Sequence, residues 1–257
     1  MINTLVNNFI PMVGFNNPKG FPIIGISSGF LFYKNNNVFI FGALHSIIGN
    51  VNKFSEMYKK LEHIAVELFF VPNKGALLVP YSIKHLNFSS THYFNSSNKE
   101  FFNDFFCVQV PKQYLYKLRS TKVFNHITKV EEIQHKYIFD KIASINVSDK
   151  FAFAGNTNPR FKKIDKYPYS IKLTDIMYDE DLQFLRSDDK DHTLIFRLST
   201  KCKDINQYKG CSGSPIVNTN NELVSIAIRV NCIDNELIGV NLKYFEQSGL
   251  LDLLMYP

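Results

Sequence analysis

Residues 210 to 215 read Gly210-Cys211-Ser212-Gly213-Ser214-Pro215, and the apolar pair Ile216-Val217 follows them. The pattern predicts a tight loop at the start of a strand, because glycine adopts backbone angles that other residues disfavour. Such a loop exposes the Ser212 hydroxyl as a nucleophile and turns the N–H groups of Gly210 and Ser212 toward one point, where a developing oxyanion is stabilised. The alternative is a simple Gly-Ser turn between two strands. A suitably placed histidine and carboxylate elsewhere in the sequence would favour the interpretation of Ser212 as a nucleophile over that of a simple turn.

One histidine stands at the end of a predicted strand. The run 38–41 predicts that strand, which leads through Gly42-Ala43-Leu44 to His45, and the apolar pair Ile47-Ile48 comes next. An imidazole anchored by apolar residues on both sides is suited to act as a base. A surface or core histidine without chemistry is the alternative. The other histidines lack a comparable context; they are His63, His85, His92, His126, His135 and His192.

The carboxylate is chosen among three candidates. Asp104 directly precedes a strand predicted over 105–110, and an acid at such a strand entrance can accept the Nδ1–H of a histidine and fix its tautomer. Taken alone, Asp104 could equally be an aspartate that only caps a turn. Glu67 lies inside a predicted strand whose alternation equally allows the solvent face, and Asp140 falls beyond the predicted domain boundary. We therefore prefer Asp104.

These segments resemble the trypsin-like (chymotrypsin-fold) serine peptidases, especially the compact bacterial and viral kinds. The segment 210–215 is similar to the G-x-S-G-[GS]-P motif of that family, 43–46 (Ala-Leu-His-Ser) to its A-x-H-[CS] motif, and 104–108 (Asp-Phe-Phe-Cys-Val) to its D-[IFL]-[AF]-[LVC] motif. The segment 27–30 (Ser-Ser-Gly-Phe) resembles a strand that often opens the first barrel, and Gly155 matches a glycine of the second barrel. The resemblance covers about residues 22 to 254.

The resemblance implies the roles of the site residues. Ser212 would be the nucleophile, His45 the general base and acid, and Asp104 the orienting carboxylate; the N–H groups of Gly210 and Ser212 would form the oxyanion hole. The expected activity is that of a trypsin-like serine endopeptidase that works through an acyl-enzyme. The alternative is a catalytically inactive protease-like module that binds extended peptides as an added strand. Cys211 is expected to point into the second barrel.

The resemblance also implies a substrate pocket walled by residues near 205–209 and by the strand 227–230. Within these walls we expect Asn206, Gln207, Ile228 and Arg229 to contact the substrate. No acidic residue stands at 206 or 207, so a preference for Lys or Arg before the scissile bond is not expected. Arg229 favours an acidic or polar side chain there, unless it is a solvated strand residue.

Composition and strand pattern predict an all-β fold of two packed antiparallel β-barrels with a short C-terminal helix. The 24 Phe and 13 Tyr suit pleated, half-buried surfaces, and many short strand-like runs follow one another closely. The predicted organisation is an N-terminal arm over 1–20, a first barrel over 21–122, a linker over 123–138, and a second barrel with the terminal helix over 139–257. The predicted strands are 23–33, 38–41, 65–71, 82–88, 105–110, 141–147, 151–154, 169–173, 193–198, 215–217, 223–230 and 237–242.

The remaining composition restricts partners and location. The net charge of +6 comes from scattered lysines and arginines, so no nucleic-acid partner is expected. Neither a signal peptide at the N-terminus nor an apolar run long enough to span a membrane is evident, which predicts a cytoplasmic protein. No cofactor or metal is expected, and the partner is a protein or peptide substrate, with a regulatory partner protein left open. Four cysteines suggest reduced thiols, although a Cys202–Cys232 or Cys211–Cys232 disulfide stays open.

Overall fold

The structure is a computed structural model of the 257-residue chain. It describes residues 5, 10–15, 23–48, 63–71, 75–82, 88–90, 104–112, 115, 120–124, 131–135, 137–157, 160–164, 167–172 and 175–256. Strands dominate these residues, which confirms the predicted all-β class. Among the described residues, none of the helices is long and apolar enough to cross a membrane.

The first half of the chain supplies most of a ten-stranded sheet. Its strands from this half are β1 (Ile10–Phe15), β2 (Ile23–Lys34), β3 (Asn37–Ala43), β4 (His63–Val71), β5 (Gly75–Ser82), β6 (Phe88–Ser90) and β7 (Phe105–Gln109). Along the sheet they follow the order β5-β4-β1-β2-β3-β7-β6. The β2–β3 hairpin turns at Asn35 and Asn36, both with positive φ, as a two-residue turn that matches strand twist requires. The two strands confirm those predicted over 23–33 and 38–41.

The second half of the chain forms a closed barrel. After β8 (Ser120–Phe124), β9 (Glu131–His135) and β10 (Ile138–Phe139) come β11 (Lys150–Thr157), β12 (Arg160–Ile164), β13 (Tyr167–Lys172), β14 (Asp175–Asp188), β15 (Thr193–Arg197), β16 (Pro215–Asn218), β17 (Leu223–Asn231) and β18 (Glu236–Asn241). The barrel closes in the order β11-β14-β15-β18-β17-β16. The β12–β13 hairpin leaves this barrel and joins the first sheet through β5.

Several elements differ from the sequence predictions. The segment predicted as an arm, 1–20, contains β1, which pairs with both β2 and β4. The segment predicted as a linker, 123–138, contains most of the β8–β9 hairpin. The strand predicted over 141–147 was wrong: only an isolated bridge forms there, between Ile142 and Leu223. Most of the strand predicted over 82–88 lies outside the described residues, and the domain division itself stays a prediction.

The helices whose bounds fall within the described residues are short. They are α1 (His45–Ile48), the 3-10 helix Ile205–Tyr208, α2 (Leu242–Gln247) and α3 (Leu250–Met255). The single C-terminal helix predicted over 243–254 is divided into α2 and α3 at Ser248 and Gly249, where Gly249 has a φ of 73°.

Phenylalanine rings hold together the strands that carry the candidate site. Phe30 on β2 stacks on Phe41 of β3 at 5.6 Å between ring centroids, and Phe41 stacks in turn on Phe105 of β7 at 6.3 Å. Phe105 also meets Phe245 of α2 edge-on. All four side chains are essentially buried, and each contributes roughly 1.5–3 kcal/mol of hydrophobic free energy. The aromatic column therefore fixes β3 against β7.

The cysteines do not all stay reduced. Cys202 and Cys232 form a disulfide with their Cα atoms 4.9 Å apart, so the expectation of reduced thiols was wrong for this pair. The pairing is one of the two that the sequence left open. Cys107 and Cys211 are buried and take no part in it.

Candidate active site

The pairing of β3 with β7 brings His45 and Asp104 together. Ala43 at the end of β3 lies opposite Phe105 at the start of β7, so the residues just beyond these two strand ends are neighbours. The backbone N–H of Leu44 donates to the Asp104 carbonyl at 3.2 Å, and the N–H of His45 donates to Asp104 Oδ1 at 2.7 Å. The second carboxylate oxygen, Oδ2, contacts His45 Nδ1. A carboxylate at Nδ1 favours the tautomer that carries its proton there and leaves Nε2 as the acceptor.

The other imidazole nitrogen faces Ser212. His45 Nε2 lies 3.1 Å from Ser212 Oγ, which is hydrogen-bonding distance. Ser212 Oγ is also 3.3 Å from the carbonyl oxygen of Ile228, and Ser46 Oγ lies 3.2 Å from the same Nε2. Because the Ser212 hydroxyl has one proton, it donates either to Nε2 or to the Ile228 carbonyl at any moment.

Two serines of β2 anchor the loop that holds Ser212. The Ser212 carbonyl accepts hydrogen bonds from the Ser28 N–H at 2.8 Å and from Ser27 Oγ at 2.7 Å. Ser28 Oγ donates to the Gly210 carbonyl at 2.8 Å. Both serines are fully buried, so these bonds fix the loop of the second half against the strand next to β3. The sequence signal was two consecutive serines inside an otherwise apolar strand, which we matched to a family strand without assigning them this role.

Gly213 lies where β2, β3 and the serine loop meet. Its φ is 91°, and its N–H donates to the Ala227 carbonyl at 2.7 Å. A Cβ at this position would overlap the Ser28 carbonyl oxygen and would lie 2.8 Å from both Ala43 N and Ser27 Oγ. Gly155 has a similar restriction, since a Cβ there would lie 2.9 Å from Cys211 Cα.

We expect Gly213→Ala to destabilise the protein by about 2–5 kcal/mol, because it combines an unfavourable φ with overlap against backbone atoms. The shift of the urea unfolding midpoint measures this loss. Gly249→Ala is the matched control, since Gly249 has a φ of 73° but no atom within 4 Å of the added Cβ. We expect about 1–2 kcal/mol for the control. Equal losses in the two variants would contradict the close packing at Gly213.

The two N–H groups predicted as an oxyanion hole have no acceptor in the part of the chain that the structure describes. Gly210 has a φ of 103°, and no described residue accepts a hydrogen bond from the N–H of Gly210 or of Ser212. The N–H of Cys211 between them donates to the Tyr208 carbonyl at 2.9 Å. Gly210 and Ser212 both line the cleft beside His45, so their donors remain for a ligand.

Cys211 points into the core of the second barrel, as the sequence predicted. Its side chain is 3% exposed and packs in the cluster that contains Phe151, Phe153 and Ile216. Burial raises the pKa of the Cys211 thiol far above its ordinary value. The thiol is therefore neutral and shielded, which disfavours a cysteine nucleophile next to Ser212.

The rival carboxylates lie elsewhere. Glu67 belongs to β4, and β1 and β2 separate that strand from β3 in the sheet. Asp140 follows β10 and is exposed. Asp104, by contrast, contacts His45 through its carboxylate.

A cleft of about 610 Å³ opens at Ser212. Three of the predicted substrate contacts line it, namely Asn206, Ile228 and Arg229, whereas Gln207 is exposed on the 3-10 helix and is not among the lining residues. The predicted walls 205–209 and 227–230 are both present. The sequence reasoning did not assign two further residues to the lining, because each lies outside both predicted walls in sequence; they are Ser46 and Leu237.

The closed barrel, the first sheet packed against it and the site between them define the chymotrypsin-like fold of serine proteases, and this confirms the predicted fold. A serine endoprotease from Yersinia pestis superimposes with a TM-score of 0.51 at 12% identity, over 98% of this chain and 64% of that chain. A mutant of tobacco etch virus protease superimposes with a TM-score of 0.50 at 13% identity, over 97% and 80% of the two chains. No protein-family model and no curated protein sequence matches this chain. At these identities the likeness concerns the fold alone.

Proposed function

We propose that the protein is a serine endopeptidase that cleaves peptide bonds through an acyl-enzyme. The observation that carries the proposal is one imidazole with a carboxylate at Nδ1 and a serine hydroxyl at Nε2, where Nε2 and Ser212 Oγ are 3.1 Å apart. A nucleophile, a base and an orienting acid within hydrogen-bonding distance of one another are the arrangement that enzymes use for hydrolysis through a covalent intermediate. The His45 side chain is 33% exposed and that of Asp104 16%, so the base is open to a substrate while the acid is largely enclosed.

The reaction would use each group in turn. Ser212 Oγ attacks the peptide carbonyl carbon while His45 Nε2 takes the hydroxyl proton, and the imidazolium then gives that proton to the leaving amine. Water attacks the resulting ester in the same way, with His45 again as the base, and the carboxylic acid leaves. Asp104 holds the imidazole and stabilises its cationic form throughout. The unused N–H groups of Gly210 and Ser212 are suited to bind the oxyanion of both tetrahedral intermediates.

An open strand edge next to Ser212 supports an extended peptide as the substrate. β16 pairs with β17 only as far as Ile226, so among the described strands none lies along that side of residues 228–231. The Ile228 carbonyl, 3.3 Å from Ser212 Oγ, marks where this open edge meets the nucleophile. A peptide that adds to this edge as an antiparallel strand would bring its carbonyl to the Ser212 hydroxyl.

A fluorophosphonate probe tests the proposal, because it labels a serine only when a base activates it. We expect the folded wild-type protein to be labelled at Ser212 and Ser212→Ala to give no labelled product. His45→Ala should lower the labelling rate by at least about a hundredfold, since general base catalysis contributes roughly 10²–10⁴. Ser46→Ala is the control for a neighbouring hydroxyl, and the labelled peptide identified by mass spectrometry should remain the one that contains Ser212.

Labelling of the wild type that persists in Ser212→Ala would contradict the assignment of the nucleophile. Absence of labelling in wild-type protein that is folded by circular dichroism would contradict the peptidase and favour the inactive, peptide-binding module. Equilibrium binding of extended peptides to that folded protein would then be the property to measure.

A further inference from the structure

Arg229 lies at an irregular point of β17. The register of β17 against β18 shifts between Ala227 and Arg229, so Ile228 is the extra residue of a β-bulge. Bulges next to functional sites re-aim the side chains around them. Ile228 and Val230 are 7% and 8% exposed, whereas Arg229 between them is exposed and lines the cleft. The arginine therefore projects on the open side of the strand.

The strand register places Arg229 relative to a bound peptide. We call the residue whose carbonyl is attacked position 1 and the residue before it position 2. Since the Ile228 carbonyl is beside Ser212 Oγ, position 1 lies opposite Ile228. In an antiparallel pair the next residue of one strand lies opposite the previous residue of the other, so Arg229 lies opposite position 2. Directly opposite side chains in such a pair are about 4.5–5.5 Å apart at Cβ, within easy reach of a guanidinium.

The cleft carries positive charge without a carboxylate of its own. Its lining includes Arg229 and, on the facing wall, Lys209, but no Asp or Glu among the described residues. Neither cation is in an ion pair with a described residue, in contrast to Arg186 with Glu236 and Lys243 with Glu246. Asp204, the nearest acid along the chain to this wall, accepts hydrogen bonds from the backbone and side chain of Asn206 instead.

We propose that Arg229 selects substrates with an acidic side chain at position 2, and that Lys209 adds to the positive field of the cleft. The inference rests on the proposed peptidase function and names the substrate class of the same site. Arginine binds a carboxylate through two parallel N–H···O bonds, and a cleft lined with cations rejects a cationic side chain by repulsion. The sequence analysis expected Arg229 to act on the side chain at position 1, directly before the scissile bond. Because Arg229 lies one residue beyond Ile228, we now assign it to position 2.

The test uses three tripeptidyl diphenyl phosphonates that are identical except at position 2, where they carry Glu, Gln or Lys. Each reacts with the active serine by losing phenol, so the rate of covalent labelling reports recognition. For the wild type we expect the Glu compound to react about tenfold faster than the Gln compound, with the Lys compound slowest. Arg229→Gln should bring the Glu and Gln rates close together, with the remaining preference due to Lys209, and Arg229→Glu should make the Lys compound the fastest. Raising NaCl from about 50 to 500 mM should reduce the wild-type preference.

The control is Arg197→Glu, which changes the net charge equally at an exposed strand position outside the cleft and should keep the wild-type order. Rates are compared within each variant, so a loss of folded protein cancels. Equal wild-type rates for the three compounds, or an order unchanged in Arg229→Glu, would overturn the inference while fluorophosphonate labelling of Ser212 still upheld the peptidase. Failure of the wild type to react with the fluorophosphonate would instead remove both proposals.

Discussion

Replacing Ser212 by alanine should lower the rate of peptide hydrolysis by about 10⁴- to 10⁶-fold while changing KM little. The loss is large because the attacking atom is removed, whereas the cleft walls that bind the peptide stay in place. The remaining rate would come from the N–H groups of Gly210 and of residue 212, which still stabilise an oxyanion formed by water attack. The measurement is kcat and KM on a peptide substrate selected from a proteome-derived mixture.

In the same assay, Cys211→Ala distinguishes the role of Ser212 from that of the neighbouring cysteine. The Cys211 thiol is buried in the second barrel and kept neutral by its raised pKa, so its removal costs packing and not a nucleophile. We expect kcat of the folded fraction to stay within about tenfold of wild type, with a lower unfolding midpoint from the lost buried atoms. If Ser212→Ala kept a tenth of the wild-type activity and Cys211→Ala had none, the assignment of Ser212 as the nucleophile would be wrong.

The three residues that meet at the candidate site could be singled out in advance because each has its own sequence signal. A serine among glycines indicates a tight loop, and His45 and Asp104 stand at opposite ends of apolar runs that become β3 and β7. The sequence does not show that these two strands pair with Ala43 opposite Phe105. That register, which brings His45 to Asp104, comes from long-range packing such as the stack of Phe41 on Phe105.

Other elements were missed because tertiary contacts overrode local preference. β14 is the longest of the described strands, yet its sequence contains five acidic residues that argue against a strand by propensity. Its pairing with both β11 and β15 closes the barrel and supplies the partners that its composition does not suggest. Pro11 in β1 likewise contributed to the interpretation of residues 1–20 as an arm.

The anchoring role of Ser27 and Ser28 shows a third limit. A hydroxyl inside an apolar strand signals a buried hydrogen bond, but not its partner. Here the partners are carbonyls of the serine loop, more than 180 residues away. These bonds position the loop of Ser212, so the geometry of the candidate site depends on two residues that have no proposed part in the chemistry.

Asp104→Asn should lower kcat/KM by about 10⁴-fold with the fold intact, because it reverses the hydrogen bonding of the imidazole. Asp104 accepts two N–H groups of His45, the backbone N–H at Oδ1 and Nδ1–H at Oδ2. An asparagine keeps one acceptor, which the backbone N–H fixes, and so presents its NH₂ group to Nδ1. Nδ1 must then accept, and the ring proton moves to Nε2, where it faces Ser212 Oγ at 3.1 Å and prevents the imidazole from taking the serine proton.

The matched variants are Glu67→Gln and Asp140→Asn, which neutralise the rival carboxylates. They should leave kcat/KM within about threefold of wild type, because β1 and β2 separate the strand of Glu67 from β3 and Asp140 is an exposed residue after β10. An unchanged unfolding midpoint for Asp104→Asn would separate lost chemistry from lost structure. If instead Asp104→Asn stayed within tenfold of wild type, or Glu67→Gln lost several orders of magnitude, the orienting carboxylate would be misassigned. The two outcomes differ because the Asp104 carboxylate is joined to both the backbone N–H and the ring of His45, so a neutral amide there changes which proton the base can accept.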